Sequence, residues 1–223
     1  MKKILWAAVF LIVLMVAVSA YFFFSLPENL ITHWGIDNAP NGYSSKAFFF
    51  PLFIGMTVLI FLLFLVLPKI DPMKENYKKF RKYYDWLVFI FVAFMFYMFL
   101  LVILANYGFA INMGLALVPA FAVLFYFMGI LLGKSKRNWF VGIRTPWTLS
   151  SDSVWEKTHL FAAKLFKALA IILLLTGAIA FYFETLFFIV FIGEILVFAL
   201  APVFYSYFAF AEEQKKHAKK ARK

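Results

Sequence analysis

Three groups of residues in this chain have the types and spacing to do chemistry. Glu194 stands inside an otherwise apolar run, 186–208. A helix through that run would carry its carboxyl roughly 15 Å deep, near the centre of a bilayer. An ionisable group at that depth is costly and by default marks function. It can serve as a proton or substrate site, or be held as a protonated or paired polar contact to an Arg, Lys, His or Tyr of another helix. The second group is Glu28, His33 and Asp37, in the polar stretch 25–46. These are metal-ligand types, but nothing in their spacing fixes three of them on one centre, so His33 is expected to hydrogen-bond inside the loop. The third group lies between 134 and 159. It comprises Asn138, Gly142, Arg144, Pro146, Trp147, Trp155 and His159, with Trp139 beside them. Arg144 can pair with an anionic group, and the tryptophans suit headgroup depth. An interfacial belt, however, needs neither Gly142 nor Pro146, so this stretch is expected to have a defined fold.

Several chemistries find no residues to carry them. Cysteine is absent, which excludes disulfides and thiol catalysis. No Gly-x-Ser-x-Gly, His-Glu-x-x-His or paired-carboxylate pattern occurs. The run Gly129-Ile-Leu-Leu-Gly-Lys-Ser135 is one residue short of a phosphate-binding loop and lies in an apolar segment instead of a strand-to-helix turn. The sequence therefore implies no cofactor, no metal site and no enzyme.

The elements that must position these residues follow from hydropathy. The chain has 223 residues, 65% of them hydrophobic, where soluble domains run at roughly half. Six apolar runs, 4–24, 47–67, 86–105, 113–133, 160–183 and 186–208, each have the ~20 residues needed to cross a bilayer as a helix. The first imitates a secretory signal but is long enough to span, and is read as a retained helix. The expected fold is all-α: a polytopic membrane protein with six transmembrane helices. Of 22 Lys and Arg, 21 fall on one side of that arrangement, leaving only Lys46 opposite. The asymmetry places both termini in the cytoplasm. The net charge of +11 is thus a topology signal; with no base-reading module beside the basic tail, it argues against nucleic acid as a partner.

The chain divides into a two-helix unit (1–68) with a structured outer loop (25–46), a basic cytoplasmic loop (69–85), a four-helix unit (86–211) holding the inner loop 134–159, and a basic tail (212–223). In the outer loop Pro27, Gly35 and Pro40 are turn-formers, Trp34 adds an aromatic, and Asn41-Gly42 suits a hairpin turn. In the inner loop Thr145 precedes a proline and should be extended. A helix should restart at 151–154, with Ser153 and Glu156 at capping-box spacing. Trp155, His159, Ala162 and Phe166 would then share one face. Gly114 and Gly177 are small enough for close helix approach, and Pro119 and Pro202 should perturb their helices.

The inner-loop residues Asn138-Trp-Phe-Val-Gly-Ile-Arg-Thr-Pro-Trp-Thr-Leu-Ser150, then Val154-Trp155 and Thr158-His159, resemble the signature of the SdpI family of bacterial and archaeal membrane proteins. The outer loop, through Leu26-Pro27, His33, Gly35 and Ser45-Lys46, resembles a small domain of unknown function that often precedes it. The resemblance implies a multi-pass protein of the plasma membrane that gives immunity to a secreted, membrane-active hydrophobic peptide toxin. It also implies signal transduction through capture of a cytoplasmic repressor. A different class of function, a small proton-coupled carrier using Glu194, is the alternative that the residues themselves offer.

Overall fold

The computed structural model describes residues 2–221; the last two residues of the basic tail, Arg222 and Lys223, lie outside them. The elements in order are α1 (Lys2–Phe22), β1 (Asn29–Trp34), β2 (Pro40–Ser45), α2 (Lys46–Ile70), α3 (Lys74–Asn106), α4 (Met113–Leu132), α5 (Pro146–Ser150), α6 (Asp152–Thr176), a 3-10 turn (Gly177–Phe181) and α7 (Glu184–Ala221). Six of the helices are long and apolar enough to cross a membrane, all but the five-residue α5. The helices extend past the apolar runs at several ends. α3 begins well before its apolar part and breaks at Phe80, whose backbone (φ −129, ψ 17) is not helical. The basic stretch from Lys74 to Lys79 is thereby set off from the span.

Among the described residues, four apolar clusters hold the bundle. Two small ones join α4 to α6 and α7, through Val118, Leu173 and Phe187 and through Leu132, Ala162 and Ala163, and two larger ones lie at its ends. One gathers Ala8, Phe61, Tyr77, Tyr84, Val88, Leu131 and Val141, joining α1 to α4 and the inner loop at the basic end. The other, at the opposite end, gathers Met15, Leu30, Phe49, Phe99 and Ile103, and packs the β1–β2 hairpin onto α1, α2 and α3. Large apolar side chains such as Phe10, Leu59, Leu175 and Val197 are exposed on the helix exteriors, where hydrocarbon rather than water is the natural solvent.

Helix packing corrects the expectation for Gly114. A Cβ there would meet Phe187 only at an ordinary 3.7 Å. The close approach is instead made by Gly129 and Gly133 in α4. A Cβ on Gly129 would lie 2.8 Å from the Ala163 carbonyl of α6, and one on Gly133 3.2 Å from the Ala163 Cβ. The stretch that imitated a phosphate loop is thus a small-xxx-small helix contact. Gly177 does behave as expected, lying 2.7 Å (to its notional Cβ) from Val118. α4 and α7 both continue through Pro119 and Pro202.

The outer loop is an antiparallel hairpin, but its turn is not at Asn41-Gly42. Those residues lie inside β2, and the tip is Gly35–Ala39, with Gly35 N–H donating to the Ala39 carbonyl at 2.8 Å. Asn38 takes the left-handed conformation (φ 58) that the tip demands. Gly42 stands opposite His33, where a Cβ would approach the His33 Cβ to 2.8 Å. Glycine is needed there for cross-strand space, which a local turn signal cannot reveal.

Candidate functional site

The inner loop folds around two buried side chains. Asn138 is fully buried. Its carbonyl oxygen accepts from the N–H groups of Phe140 (3.0 Å) and Val141 (2.7 Å) and from Tyr77 Oη (3.2 Å). Its amide nitrogen donates to the carbonyls of Lys136 (2.9 Å) and Val141 (2.8 Å). Every polar valence of this amide is used, so Asn138 nucleates the turn and is not free to hold a ligand. His159, 1% exposed, is the second centre. Its Nε2 accepts from Ile143 N–H at 3.0 Å, so Nδ1 must carry the proton and donate to the Trp155 carbonyl at 2.7 Å. The ring is therefore a neutral Nδ1–H tautomer. Trp155 stacks on it with centroids 3.9 Å apart and donates through Nε1 to the Ser135 carbonyl. Gly142 (φ 122) passes directly over the imidazole.

The loop then turns into α5. Thr145 is extended, as its following proline requires, and caps α5 in a reciprocal box with Thr148. Thr148 Oγ1 also donates to the Ile143 carbonyl at 2.7 Å. The cap of α6 is Ser151, which accepts from Val154 N–H at 3.3 Å, and not Ser153. Pro146 and α5 occupy the residues before it, so the chain is already committed to a helical start two positions earlier than the Ser153–Glu156 spacing indicates. Asp152 then falls in the first turn of α6 and pairs with Arg137 (Nε to Oδ1, 2.9 Å). Of the shared face expected of Trp155, His159, Ala162 and Phe166, the first three are buried and Phe166 is half-buried.

Residues distant in sequence complete this site, and local spacing gave no sign of them. Asp71, 2% exposed, accepts from Met73 N–H in the turn before α3 and from Trp139 N–H at 2.9 Å. Asn76 donates to the Arg137 carbonyl at 2.8 Å. From the other side, Ser206 of α7 shares a 3.0 Å hydrogen bond with the Thr145 hydroxyl, Tyr207 packs edge-on against Trp147, and Ser151 donates to Glu213 at 3.0 Å. The only hint was Asp71-Pro72 ahead of a helix, a turn signal with no stated partner. What remains outward is Arg144. Its Nη1 donates to the Trp139 carbonyl at 2.7 Å, while the side chain stays exposed beside a half-exposed Trp139.

The outer candidates form a separate assembly at the other end of the bundle. His33 is exposed and its Nδ1 lies 2.5 Å from Asn41 Oδ1 across the hairpin. Pro27 is exposed, whereas Trp34 packs into the outer cluster. Asn106, at the end of α3, accepts from Ile31 N–H (2.7 Å) and donates to the Ile31 carbonyl (2.9 Å). One side chain thus makes both bonds a neighbouring strand would make, which caps the β1 edge. Lys46, the lone basic residue of this end, closes the hairpin by pairing with Glu28 (3.6 Å) and donating to the Leu26 carbonyl. Glu194 belongs to neither assembly. It is half-buried in α7, with Thr176 Oγ1 of α6 at 3.4 Å from its Oε2, so its partner is a hydroxyl and not a base.

Six apolar spans, basic loops gathered at one end and a small hairpin at the other define a multi-pass α-helical membrane protein. Residues 134–206 match the model of the SdpI/YfhL protein family, and residues 10–58 that of a domain of unknown function, DUF1648. It is also 29% identical over 62 residues to the immunity protein SdpI of Bacillus subtilis (strain 168); the match covers 28% of this chain and 30% of that protein. No solved structure matches it.

Proposed function

We propose that this protein is a non-enzymatic immunity protein of a bacterial or archaeal plasma membrane, protecting the cell from a secreted, membrane-active peptide. The observation that carries the reading is the inner loop. Residues 134–206 match a family that includes an immunity protein, and, the buried Thr158 hydroxyl apart, the loop's buried side-chain hydroxyls, amide and imidazole are spent on its own fold. Asn138, Thr145, Thr148 and His159 each have internal partners; the Thr158 hydroxyl has none, but both nitrogens of the neighbouring His159 are engaged, so no nucleophile stands beside a free base. Arg144 and the basic face around it supply a surface for anionic lipid or for a cytoplasmic regulator such as a repressor. Expression in a host killed by hydrophobic peptide toxins tests this. Survival should rise with the wild-type chain and fall with Arg144→Ala or His33→Ala variants that still insert; no rise in survival against any such peptide sinks the proposal.

The carrier alternative rests on Glu194 and its Thr176 contact. Proton or solute flux in liposomes, abolished by Glu194→Gln, would favour it over immunity.

A further inference from the structure

Beneath the hairpin lies a cavity of about 390 Å³ that none of the residues discussed above explains. Its roof is the end of β1, including Trp34, and the hairpin tip that follows. Its walls come from the outer ends of α2 (Phe53), α3 (Leu101), α4 (Met113, Leu117) and α7 (Phe187). Specific ligand sites are concave and mostly apolar, at roughly 300–1,000 Å³, with a few polar groups at fixed positions; this cavity has that character. Its polar groups, Thr32, His33, Asn38 and Asn112, lie toward the hairpin and the start of α4.

The roof is fixed in place. Asn106 clamps Ile31 from one side, and on the other Asn38 Oδ1 accepts from Met113 N–H at 2.8 Å, tying the hairpin tip to the first residue of α4. A site held open in advance does not lose affinity to ordering itself on binding.

Charge decides the occupant. Among the lining residues there is no Asp, Glu, Lys or Arg, and Lys46, the one cation of this end, is engaged by Glu28 and the Phe23 ring. A phospholipid would find no cation for its phosphate, while an uncharged apolar side chain would lose nothing. We propose that this cavity seats the apolar side chains of a membrane-active peptide arriving at the outer face. The inference rests on the immunity reading and names its site: the cavity is built jointly by the hairpin, which lies in the DUF1648 segment, and by Phe187 of the SdpI segment.

The test uses the full chain in phosphatidylethanolamine–phosphatidylglycerol vesicles. The first probe is an uncharged 20-residue Leu/Phe/Gly peptide carrying a diazirine-bearing leucine; the second is a phospholipid with a diazirine in its acyl chain. Peptide label should concentrate on residues 32–38, 98–102 and 112–117. It should fall at least tenfold there in Leu117→Trp and in Gly114→Phe, two cavity-filling changes from different positions, and persist in Leu117→Met. Peptide label that is spread over the exposed helix faces or unchanged by both fillers overturns the proposal. Cavity labelling by the phospholipid as strong as by the peptide also overturns it, and assigns the space to lipid. If the wild type protects a sensitive host and the filled variants protect equally, the immunity reading stands and the site falls. If nothing protects but filling still abolishes cavity label, the site stands and the immunity reading falls.

Discussion

Gly142 and His159 are in such close contact that the imidazole occupies the space where any other residue would place its Cβ. With φ at 122 the backbone there is also outside the range L side chains adopt readily. The same turn aims Ile143 N–H at His159 Nε2. The glycine, the hydrogen bond and the Trp155 stack beneath are one construction, and the inner loop hangs on it.

Replacing Gly142 by Ala should therefore lower stability in detergent by at least the ~1–3 kcal/mol typical of a strained backbone residue, with the ring displacement added. Thermal unfolding followed by intrinsic Trp fluorescence reads this, because Trp155 lies in the disturbed region. An unchanged melting temperature would mean that the loop has another conformation to hand.

His159 should be replaceable by a neutral acceptor but not by a hydrocarbon. Gln offers an oxygen for Ile143 N–H, whereas Leu leaves that N–H buried without a partner, at a cost of about 1–3 kcal/mol. His159→Leu should thus unfold at lower denaturant than His159→Gln. Equal midpoints would show that the Ile143 bond contributes nothing.

Tyr77 and Asn138 tie the start of α3 to the inner loop across 61 positions of sequence. A double-mutant cycle of Tyr77→Phe and Asn138→Ala should give a coupling on the order of 0.5–1.5 kcal/mol. Strict additivity would place the tie elsewhere, on Asp71–Trp139 or Asn76–Arg137.

How far these features can be read from sequence depends on the range of the forces behind them. The six spans are legible because hydrocarbon selects long apolar runs, and Lys and Arg mark the sides. Thr145 before Pro146 is legible because the restriction is local. The hairpin was half-legible: turn-formers announced a compact loop, but the tip fell at Gly35–Ala39 because Asn38 docks on Met113, a residue 75 positions away. Asn76, Tyr77 and Ser206 carried no local signal at all, and Asp71 only that of a turn, since each matters to the loop through a partner on another element. The cavity could not be read for the same reason, as five elements from across the chain contribute to it.

Asn106 should be the residue whose loss frees the hairpin. Asn106→Ala removes both bonds to Ile31 and leaves the β1 edge unpaired. Hydrogen exchange at the Ile31 amide should accelerate by at least tenfold while the α3 amides before residue 100 keep their rates. Protection unchanged at Ile31 would show that the apolar contacts of Leu30 alone hold the hairpin down.

Protection without chemistry is the central claim, and peptide-induced leakage of dye-loaded liposomes measures it most directly. Vesicles reconstituted with this protein should resist a hydrophobic toxin peptide up to a threshold that rises in proportion to protein content, and the peptide should be recovered at its original mass. Leakage identical with and without the protein, or recovery of the peptide in cleaved or modified form, would contradict the account.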